Sequence, residues 1–369
     1  MVLENKDQSV LGIHHVTAIA RNPQENFEFY SGILGLRLVK LTVNFDNPTT
    51  YHLCYGDELG RPGTILTFFP WEHMPPGFRG TGQIVTISFL IPENAIEYWL
   101  NRFKDKGIVY YEPKRRFDNN EQIITFYDRD GLKLELVASK EAENRKINAW
   151  KNSPIPVDYA IRGFYSVTLS IDGYEETASL LTNEMGFSKI AHEGNRFRFQ
   201  IKDKFIEESS LKNHDNNNDA QRFLQSTSSS SSSSIIDIVC LPYAQPGTIG
   251  VGTVHHVAWR TPTDENQLEM RKKIIRKKLN ATPVIDRLYF HSVYFREPDG
   301  ILFEIATDHP GFMIDQKLED LGQKLVLPKW LEPRRKYLEK TLPSINISNI
   351  DQTKFGVYSN DNSNKGSTK

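Results

Sequence analysis

The sequence has little cysteine and no marked excess of charge of either sign. Its 369 residues include only two cysteines, Cys54 and Cys240, and neither belongs to a CxxC pair. This argues against a disulfide framework and against a zinc site built from thiolates, so any metal must be bound by histidines and carboxylates. The 45 basic and 46 acidic side chains give a formal net charge of -1, which gives no reason to expect a nucleic acid as partner.

Segments that would direct a chain into or across a membrane are also lacking. The first eight residues contain no apolar core of a signal peptide, and no stretch of about eighteen apolar residues occurs in the chain. We therefore expect a cytoplasmic protein with no membrane partner. The length predicts two domains or one tightly paired double domain, and it leaves open whether the protein forms a homo-oligomer.

Internal similarity divides the chain into four modules of about seventy to eighty residues each. The segment GIHHVT at 12–17 resembles GFYSVT at 163–168, and each is followed by a helical stretch that ends in a similar glycine, Gly35 or Gly186. The segment DGLKLE at 130–135 likewise resembles DGILFE at 299–304. Each module is predicted to fold as one strand, one helix and three further strands, which places the chain in the α+β class.

The module limits predict the domain organisation. The first pair of modules is expected over 8–155, with modules at 8–78 and 79–140 and a linker, and the second pair over 156–325. Amphipathic stretches predict the helices of the four modules at 23–34, 93–106, 175–185 and 264–278. A Ser- and Asn-rich insertion at about 207–234 and a polar tail at 346–369 are expected to be disordered, because such compositions bury little apolar surface. A helical segment is predicted at 326–345.

Two histidines and one carboxylate occupy positions that the repeats make equivalent. His15 and His256 have the same relative position in the first strands of modules one and four, and Glu304 lies on the last strand of module four. The corresponding first-strand residues of the other modules are Thr86 and Ser166, which are weak metal ligands. The sequence therefore predicts one metal site per chain, formed where modules one and four pair in a common cavity.

The type of these ligands favours ferrous iron. Two imidazoles and one carboxylate on one face of an octahedral metal leave three positions open, as in non-haem iron(II) sites, and Mn²⁺ is an alternative. Neighbouring strand residues point to opposite faces, so we expect the second histidine of each His-His pair to bind the metal. That pattern leaves open whether His14 and His255 pack behind the sheet or lie near the cavity. The remaining histidines have no support from the repeats and are given no role: His52, His73, His192, His214, His291 and His309.

Taken together, these motifs resemble those of the vicinal oxygen chelate superfamily and, within it, of ring-cleaving dioxygenases that act on hydroquinones and chlorinated hydroquinones. Further matching segments are 51–53, 57–60, 62–64, 193–196 and 303–307. The resemblance implies four βαβββ modules that form two open, barrel-like cavities lined by sheet. It implies the ligands His15, His256 and Glu304, and catalytic roles for Tyr294, Arg287 and His14. It also implies dioxygen and a small aromatic compound as substrates. The Ser- and Asn-rich insertion departs from the family pattern.

Two other functions stay open at this point. Glyoxalase-like isomerases and thiol transferases use related scaffolds with other divalent metals, and usually with more carboxylate ligands. Other members of the superfamily bind small molecules without catalysis after losing the ligands. Because a fold supports many activities, membership alone does not choose among the three.

Overall fold

Two eight-stranded sheets make up most of the computed structural model, which describes residues 10–117, 121–145, 148–201 and 234–347. The strands within these ranges are β1 Ile13–Ala20, β2 Arg37–Val43, β3 Tyr51–Gly56, β4 Ile65–Pro70, β5 Gln83–Ile91, β6 Lys114–Arg116, β7 Glu121–Tyr127, β8 Lys133–Ala138, β9 Phe164–Ile171, β10 Phe187–Glu193, β11 Arg196–Ile201, β12 Ile235–Cys240, β13 Val254–Thr261, β14 Ile285–Asp286, β15 Phe290–Arg296 and β16 Leu302–Pro310. The helices are α1 Pro23–Phe27, α2 Ile96–Asp105, α3 Glu141–Asn144, α4 Glu175–Asn183, α5 Asp264–Arg276 and α6 Arg335–Thr341.

Each sheet combines two modules from different halves of the chain. The first sheet has the order β14-β15-β16-β13-β1-β4-β3-β2 and joins modules one and four; the second has the order β10-β11-β12-β9-β5-β8-β7-β6 and joins modules two and three. The predicted fold of four βαβββ modules is confirmed, as is the pairing of modules one and four. Each sheet contains strands from both predicted ranges, 8–155 and 156–325. The sheets therefore do not test these limits, which stay a prediction about the order of the modules along the chain.

The four central strands are paired in the same way in both sheets. In the first, β1 and β13 pair antiparallel, and each also pairs in parallel with the last strand of its own module, β4 or β16. In the second, β5 and β9 pair antiparallel, and each pairs in parallel with the last strand of its own module, β8 or β12. This pseudo-twofold arrangement places equivalent residues of two modules face to face across each central strand pair.

The helices cover one face of each sheet and join the two sheets in a continuous apolar core. Trp99 of α2 and Trp259 of β13 are fully buried in it, and the Trp259 ring meets Phe187 of β10 at 5.5 Å between ring centres. The α1 region continues as a π-helical turn, Glu28–Ile33, whose Phe29 stacks on Phe126 of β7. Burial of these large side chains holds the two sheets together.

The predicted helix limits agree with the structure to within a few residues. The glycines that the repeat placed after the first and third helices, Gly35 and Gly186, have φ angles of +72° and +86°. A side chain is strained in this left-handed conformation, which explains why glycine ends both helices. The predicted C-terminal helical segment contains α6, whose Leu338 is buried in the common core.

Two predictions fall largely on residues that the structure does not describe. The insertion predicted at 207–234 lies almost entirely within 202–233, and the tail predicted at 346–369 lies almost entirely within 348–369; both ranges are outside the described residues. Among the described helices, none is both long and apolar enough to span a bilayer.

Candidate metal centre

Neighbouring strands of the first sheet bring His15, His256 and Glu304 together. In the β1–β13 pair His15 lies opposite Ala258, and in the β13–β16 pair Ala258 lies beside Glu304. The Nε2 atoms of the two imidazoles are 3.2 Å apart, and Glu304 Oε2 lies 3.3 Å from the first and 3.0 Å from the second. All three side chains are buried, so the predicted trio shares one compact site.

The carboxylate of Glu304 is held at one oxygen and left without a hydrogen bond at the other. Ser292 on β15 donates a hydrogen bond of 2.5 Å to Oε1. Oε2 faces the two imidazoles and accepts no well-aligned hydrogen bond from any described residue. Burial alone would raise the pKa of Glu304, but the two imidazoles hold it well below its usual value. A buried anionic oxygen without a hydrogen bond is costly unless a cation neutralises it.

The three donor atoms are spaced as ligands of one metal ion. Two donors about 2.1 Å from an ion are about 3.0 Å apart at an octahedral angle and about 3.4 Å apart at a tetrahedral angle. The observed separations of 3.0 to 3.3 Å fall in this range. The spacing and the orphaned Oε2 together show that these residues fit a divalent transition metal, and the two-histidine, one-carboxylate set suits iron(II).

Each candidate ligand histidine is oriented by the histidine that precedes it. His14 Nδ1 is 2.9 Å from His15 Nδ1, and His255 Nδ1 is 2.8 Å from His256 Nδ1. An imidazole that offers Nε2 to a metal carries its proton on Nδ1 and donates from there, so His14 and His255 must accept. Burial lowers the pKa of both acceptors, that of His255 to about 3, which keeps them neutral.

Irregular strand pairing explains how adjacent residues come to contact each other. The register of β1 against β13 slips between Ile13 and His15 and again between Thr17 and Ala18. His14 is the additional residue of the first slip and His255 that of the second. Such bulges turn a side chain away from strict alternation. His14 packs against Phe290 behind His15, whereas His255 lies at the cavity wall.

The pseudo-twofold of the sheet identifies a fourth corner of the site. Glu304 is beside Ala258, two residues after His256; the equivalent neighbour on β4 is Thr67, beside Thr17, two residues after His15. Thr67 thus occupies the position at which symmetry would place a second carboxylate. Since a neutral hydroxyl is a weak ligand, the protein offers three strong ligands and leaves this side open.

A cavity of about 380 Å³ is lined by two of the three candidate ligands, His15 and His256. Tyr294 lies on its wall, with its ring 5.8 Å from that of His256, and the Arg287 guanidinium sits 5.5 Å over the Tyr294 ring. Asp46 anchors Arg287 at the mouth with contacts of 3.1 and 3.0 Å. The other lining is largely aromatic and includes Phe45, Phe69, Trp71, Tyr289, Phe290 and Phe312.

The structure therefore groups all six sequence-predicted residues, but in two layers. His15, His256, Tyr294 and Arg287 line the cavity, whereas Glu304 and His14 are buried against the two candidate ligand histidines and do not line it. Their roles as ligands and catalytic groups stay predictions. Sequence reasoning gave no role to His52 or Thr67, which also line the cavity. The segment 51–53 did match the family pattern, and this was the only signal for His52.

Comparison with known proteins agrees with this picture. Residues 12–136 match the model of the Glyoxalase/Bleomycin resistance protein/Dioxygenase superfamily. The chain is 41% identical over 344 residues to the MhqO protein of Bacillus subtilis (strain 168), whose name gives ring-cleaving dioxygenase as a provisional activity; the match covers 93% of this chain and 99% of the relative. It is 28% identical over 343 residues to the chlorohydroquinone/hydroquinone 1,2-dioxygenase of Sphingobium indicum, covering 91% and 97%.

A solved structure shows the same architecture. A crystal structure from Bacillus subtilis subsp. subtilis str. 168, described provisionally as a dioxygenase, superimposes with a TM-score of 0.80 at 40% identity. The superposition covers 92% of this chain and 99% of that one. The whole four-module arrangement is therefore common to both proteins.

Proposed function

Since the chain belongs to the glyoxalase/bleomycin resistance protein/dioxygenase superfamily, we propose that it is a metal-dependent dioxygenase that opens the ring of a hydroquinone or a catechol-type compound. The observation that carries the proposal is the group of three candidate ligands beside an aromatic cavity, with the weak ligand Thr67 at the fourth position. The ring opening is of the extradiol type, beside a hydroxyl-bearing carbon, and both atoms of dioxygen enter the product.

His15, His256 and Glu304 would hold the metal, Fe²⁺ in the first place and Mn²⁺ as the alternative. When bound, such an ion would supply adjacent open positions for a phenolate and for dioxygen. The chain supports it from outside as well, because Ser292 fixes the carboxylate and the two preceding histidines fix the rings. Outer partners of this kind set both ligand orientation and metal affinity.

The cavity suits a single substituted ring. An apolar cavity of about 150 Å³ is enough to take up benzene in another protein, so one of about 380 Å³ has room for ring substituents. Aromatic side chains on several walls offer stacked or edge-on contacts to an electron-rich ring. Ring size and an apolar lining thus favour a small aromatic substrate.

Tyr294 and Arg287 supply a proton donor and a fixed positive charge beside the site. Burial and the charge of Glu304 raise the pKa of Tyr294, so its hydroxyl stays protonated. A neutral phenol in this position can donate a hydrogen bond or a proton to an oxygen that becomes anionic during the reaction. Arg287 offsets negative charge on the substrate, and Asp46 keeps its guanidinium directed.

Both other functions are less well supported by the same residues. An isomerase or transferase of this superfamily would be expected to use further carboxylate ligation, but the fourth corner carries Thr67. A non-catalytic binder would have no need for His15, His256 and Glu304 in ligand spacing, and all three are present.

The test is oxygen uptake by the protein loaded anaerobically with Fe²⁺, with a panel of catechols, hydroquinones and halogenated hydroquinones. We expect uptake with at least one hydroquinone and a ring-opened product that carries two ¹⁸O atoms from ¹⁸O₂. Protein loaded with Zn²⁺ is the control and should consume none. If every diphenol fails while the Fe²⁺ protein catalyses an isomerisation or thiol transfer without oxygen, the dioxygenase proposal is wrong.

A further inference from the structure

The open fourth corner of the metal centre is built from three hydrogen-bonded side chains. Thr67 Oγ1 on β4 lies 2.8 Å from Thr17 Oγ1 on β1 and 2.9 Å from His52 Nε2 on β3. All three side chains line the cavity. None of the three is a candidate ligand, and the proposed reaction assigns none of them a part in substrate binding.

The register of the outer strands relates His52 to Ser292. On β15 Tyr294 lies opposite Glu304, and on β3 Cys54 lies opposite Thr67. Ser292 is two residues before Tyr294 and donates a hydrogen bond to Glu304. His52 is two residues before Cys54 and contacts Thr67. His52 therefore supports the open corner as Ser292 supports the carboxylate, but with a larger side chain that reaches the cavity.

His52 uses only one of its two ring nitrogens. Among the described residues Thr67 is its single hydrogen-bond partner, through Nε2, and Nδ1 has none. Burial, with the nearby imidazoles of His15 and His256, lowers the pKa of His52 to about 3, so the ring is neutral. A neutral ring has one donor nitrogen and one acceptor nitrogen, and Nδ1 can therefore either accept from a phenol or donate to a phenolate.

An aromatic wall continues from this corner. Thr67 and Phe69 lie on the same face of β4, and Trp71 follows directly after the strand. The centre of the Phe69 ring is 4.7 Å from that of the His52 ring and 5.4 Å from that of the Trp71 ring, and the planes of the Phe69 and Trp71 rings are inclined by 28°. A substrate oxygen at Thr67 would thus place its ring against Phe69.

We propose that Thr67 and His52 form the subsite for the phenolic oxygen of the aromatic substrate, with Thr67 leaving the metal's fourth side open and His52 Nδ1 hydrogen-bonding the oxygen that enters there. This rests on the proposed function for the substrate class, but its chemistry needs only a phenol and a divalent ion. It assigns a specificity-determining role to a histidine that the repeats did not single out.

The first test measures binding of 4-nitrophenol to the Zn²⁺-loaded protein, which is redox-silent. Its absorbance reports both the dissociation constant and whether the bound form is phenol or phenolate. His52→Gln keeps a polar group near Nε2 and the contact to Thr67; His52→Asn keeps one near Nδ1. We expect His52→Gln and His52→Phe to weaken binding about tenfold or more, and His52→Asn to retain most of it.

Metal affinity separates this role from a merely structural one. Zn²⁺ affinity should be the same in the wild-type protein and in all three His52 variants, since His52 does not contact the metal. Equal 4-nitrophenol affinity in His52→Phe and wild type would overturn the proposal. The proposal would also be overturned if the His52 variants changed only the binding of nitric oxide, a dioxygen surrogate, to the Fe²⁺-loaded protein. The position at Thr67 would then bind the gas and not the phenol.

The second test fills the corner. Thr67→Glu places a carboxylate at the symmetry equivalent of Glu304, and we expect at least tenfold tighter Zn²⁺ binding together with a hundredfold or greater loss of 4-nitrophenol affinity. Thr67→Val keeps the shape and should change Zn²⁺ affinity little. Undiminished phenol binding in a folded, metal-loaded Thr67→Glu protein would contradict the proposal; if that variant does not fold, the His52 series still decides.

The two proposals fail in different ways. If the wild-type protein opens no ring but binds 4-nitrophenol in a His52-dependent manner, the subsite stands and the dioxygenase function falls. If it opens a hydroquinone ring while His52→Phe binds 4-nitrophenol normally, the function stands and the subsite falls.

Discussion

The two sheets share one backbone plan but carry different chemistry at the same four positions. In the first sheet these positions hold two histidines, one carboxylate and one hydroxyl, whereas in the second they hold two hydroxyls and two carboxylates. The first set is His15, His256, Glu304 and Thr67, and the second is Thr86, Ser166, Asp237 and Glu135. Both sets include a buried negative charge on the strand that flanks the centre.

The second sheet neutralises its carboxylates with guanidinium groups. Arg116 Nη2 donates to Glu135 at 2.9 Å, and Arg198 donates to both oxygens of Asp237 at 2.7 and 2.8 Å. Arg196 adds a bond of 2.9 Å to Asp237. Arg198 on β11 lies opposite Asp237 and Thr125 on β7 lies opposite Glu135, the positions that correspond to Tyr294 opposite Glu304 in the first sheet.

This difference shows what selects the cation. A buried carboxylate needs a counter-charge in either sheet. In the first sheet, histidines on the central strands supply nitrogen donors for a metal. In the second sheet, threonine and serine at the same positions supply none, and arginines from other strands neutralise the carboxylates. One sheet is thereby suited to catalysis and the other to stability, which can be tested by breaking each in turn.

The largest effect is expected from Glu304→Gln, which breaks the first centre. Loss of the anionic ligand should weaken iron binding and abolish oxygen uptake with hydroquinone, by about a thousandfold or more. The fold should persist, because the neutral amide leaves no unpaired charge in the core. Metal content and oxygen-electrode rates check the first part, and circular dichroism the second. Unchanged turnover would rule Glu304 out as a ligand.

Breaking the second centre should have the opposite consequences. Asp237→Asn removes the carboxylate partner of Arg196 and one of the two buried carboxylates that Arg198 contacts, the other being Glu121, and we expect a loss of about 3 kcal/mol in the free energy of unfolding. Metal affinity should not change. Denaturant unfolding and metal titration measure the two quantities. Glu332→Gln, which removes an exposed ion pair with Arg335, is the control and should leave stability nearly unaltered.

The metal trio was predictable from sequence because the repeats supply the missing distance information. His15 and His256 are 241 positions apart, but their modules align, and equivalent strands of paired modules must meet. The same reasoning gave the four βαβββ units, whereas the helix limits came from the amphipathic stretches. No such alignment predicts Arg116 and Arg198 as partners of Glu135 and Asp237, since these contacts depend on side chains that cross between strands.

What the repeats could not predict is set by local register. His52 meets Thr67 because Cys54 lies opposite Thr67 on β4, and a slip of one residue would turn His52 to the other face. The contacts of His14 and His255 arise from two irregularities of β1 against β13, whereas strict alternation separates adjacent side chains. An alternating pattern carries no trace of a single extra residue, so these positions needed the structure.

A smaller effect is expected from Tyr294→Phe, which tests the residue opposite Glu304 on β15. Removing the hydroxyl should slow ring opening about a hundredfold, because a positioned proton donor contributes on this scale. The metal should stay bound, since Tyr294 is outside the ligand set. Turnover and metal content of the same preparation decide; a metal-free variant would mean that Tyr294 maintains the centre itself.

The smallest effect concerns the Asp-Gly turns that follow β7 in the second sheet and β15 in the first. Asp128 accepts hydrogen bonds from Tyr30 and from the Leu132 amide, both at 2.8 Å, yet burial and the charge of Asp130 raise its pKa to about 7. Its counterpart Glu297 is also shifted upward, mainly by burial. Both carboxyls therefore bind a proton more tightly in the folded chain than in the unfolded one.

A folded-state pKa above the unfolded value gives stability that is present at low pH and lost as the pH rises through the folded pKa. Asp128 should cost about 2 kcal/mol of unfolding free energy between roughly pH 5 and pH 7. Asp128→Asn, which keeps acceptor and donor atoms but does not titrate, should remove that part of the slope in denaturant unfolding at three pH values. Glu297→Gln should flatten it as well, if the two turns are equivalent. An identical pH slope in wild type and Asp128→Asn would show that this carboxyl ionises normally, since the difference between the two proteins isolates a single group from all others that titrate in the same range.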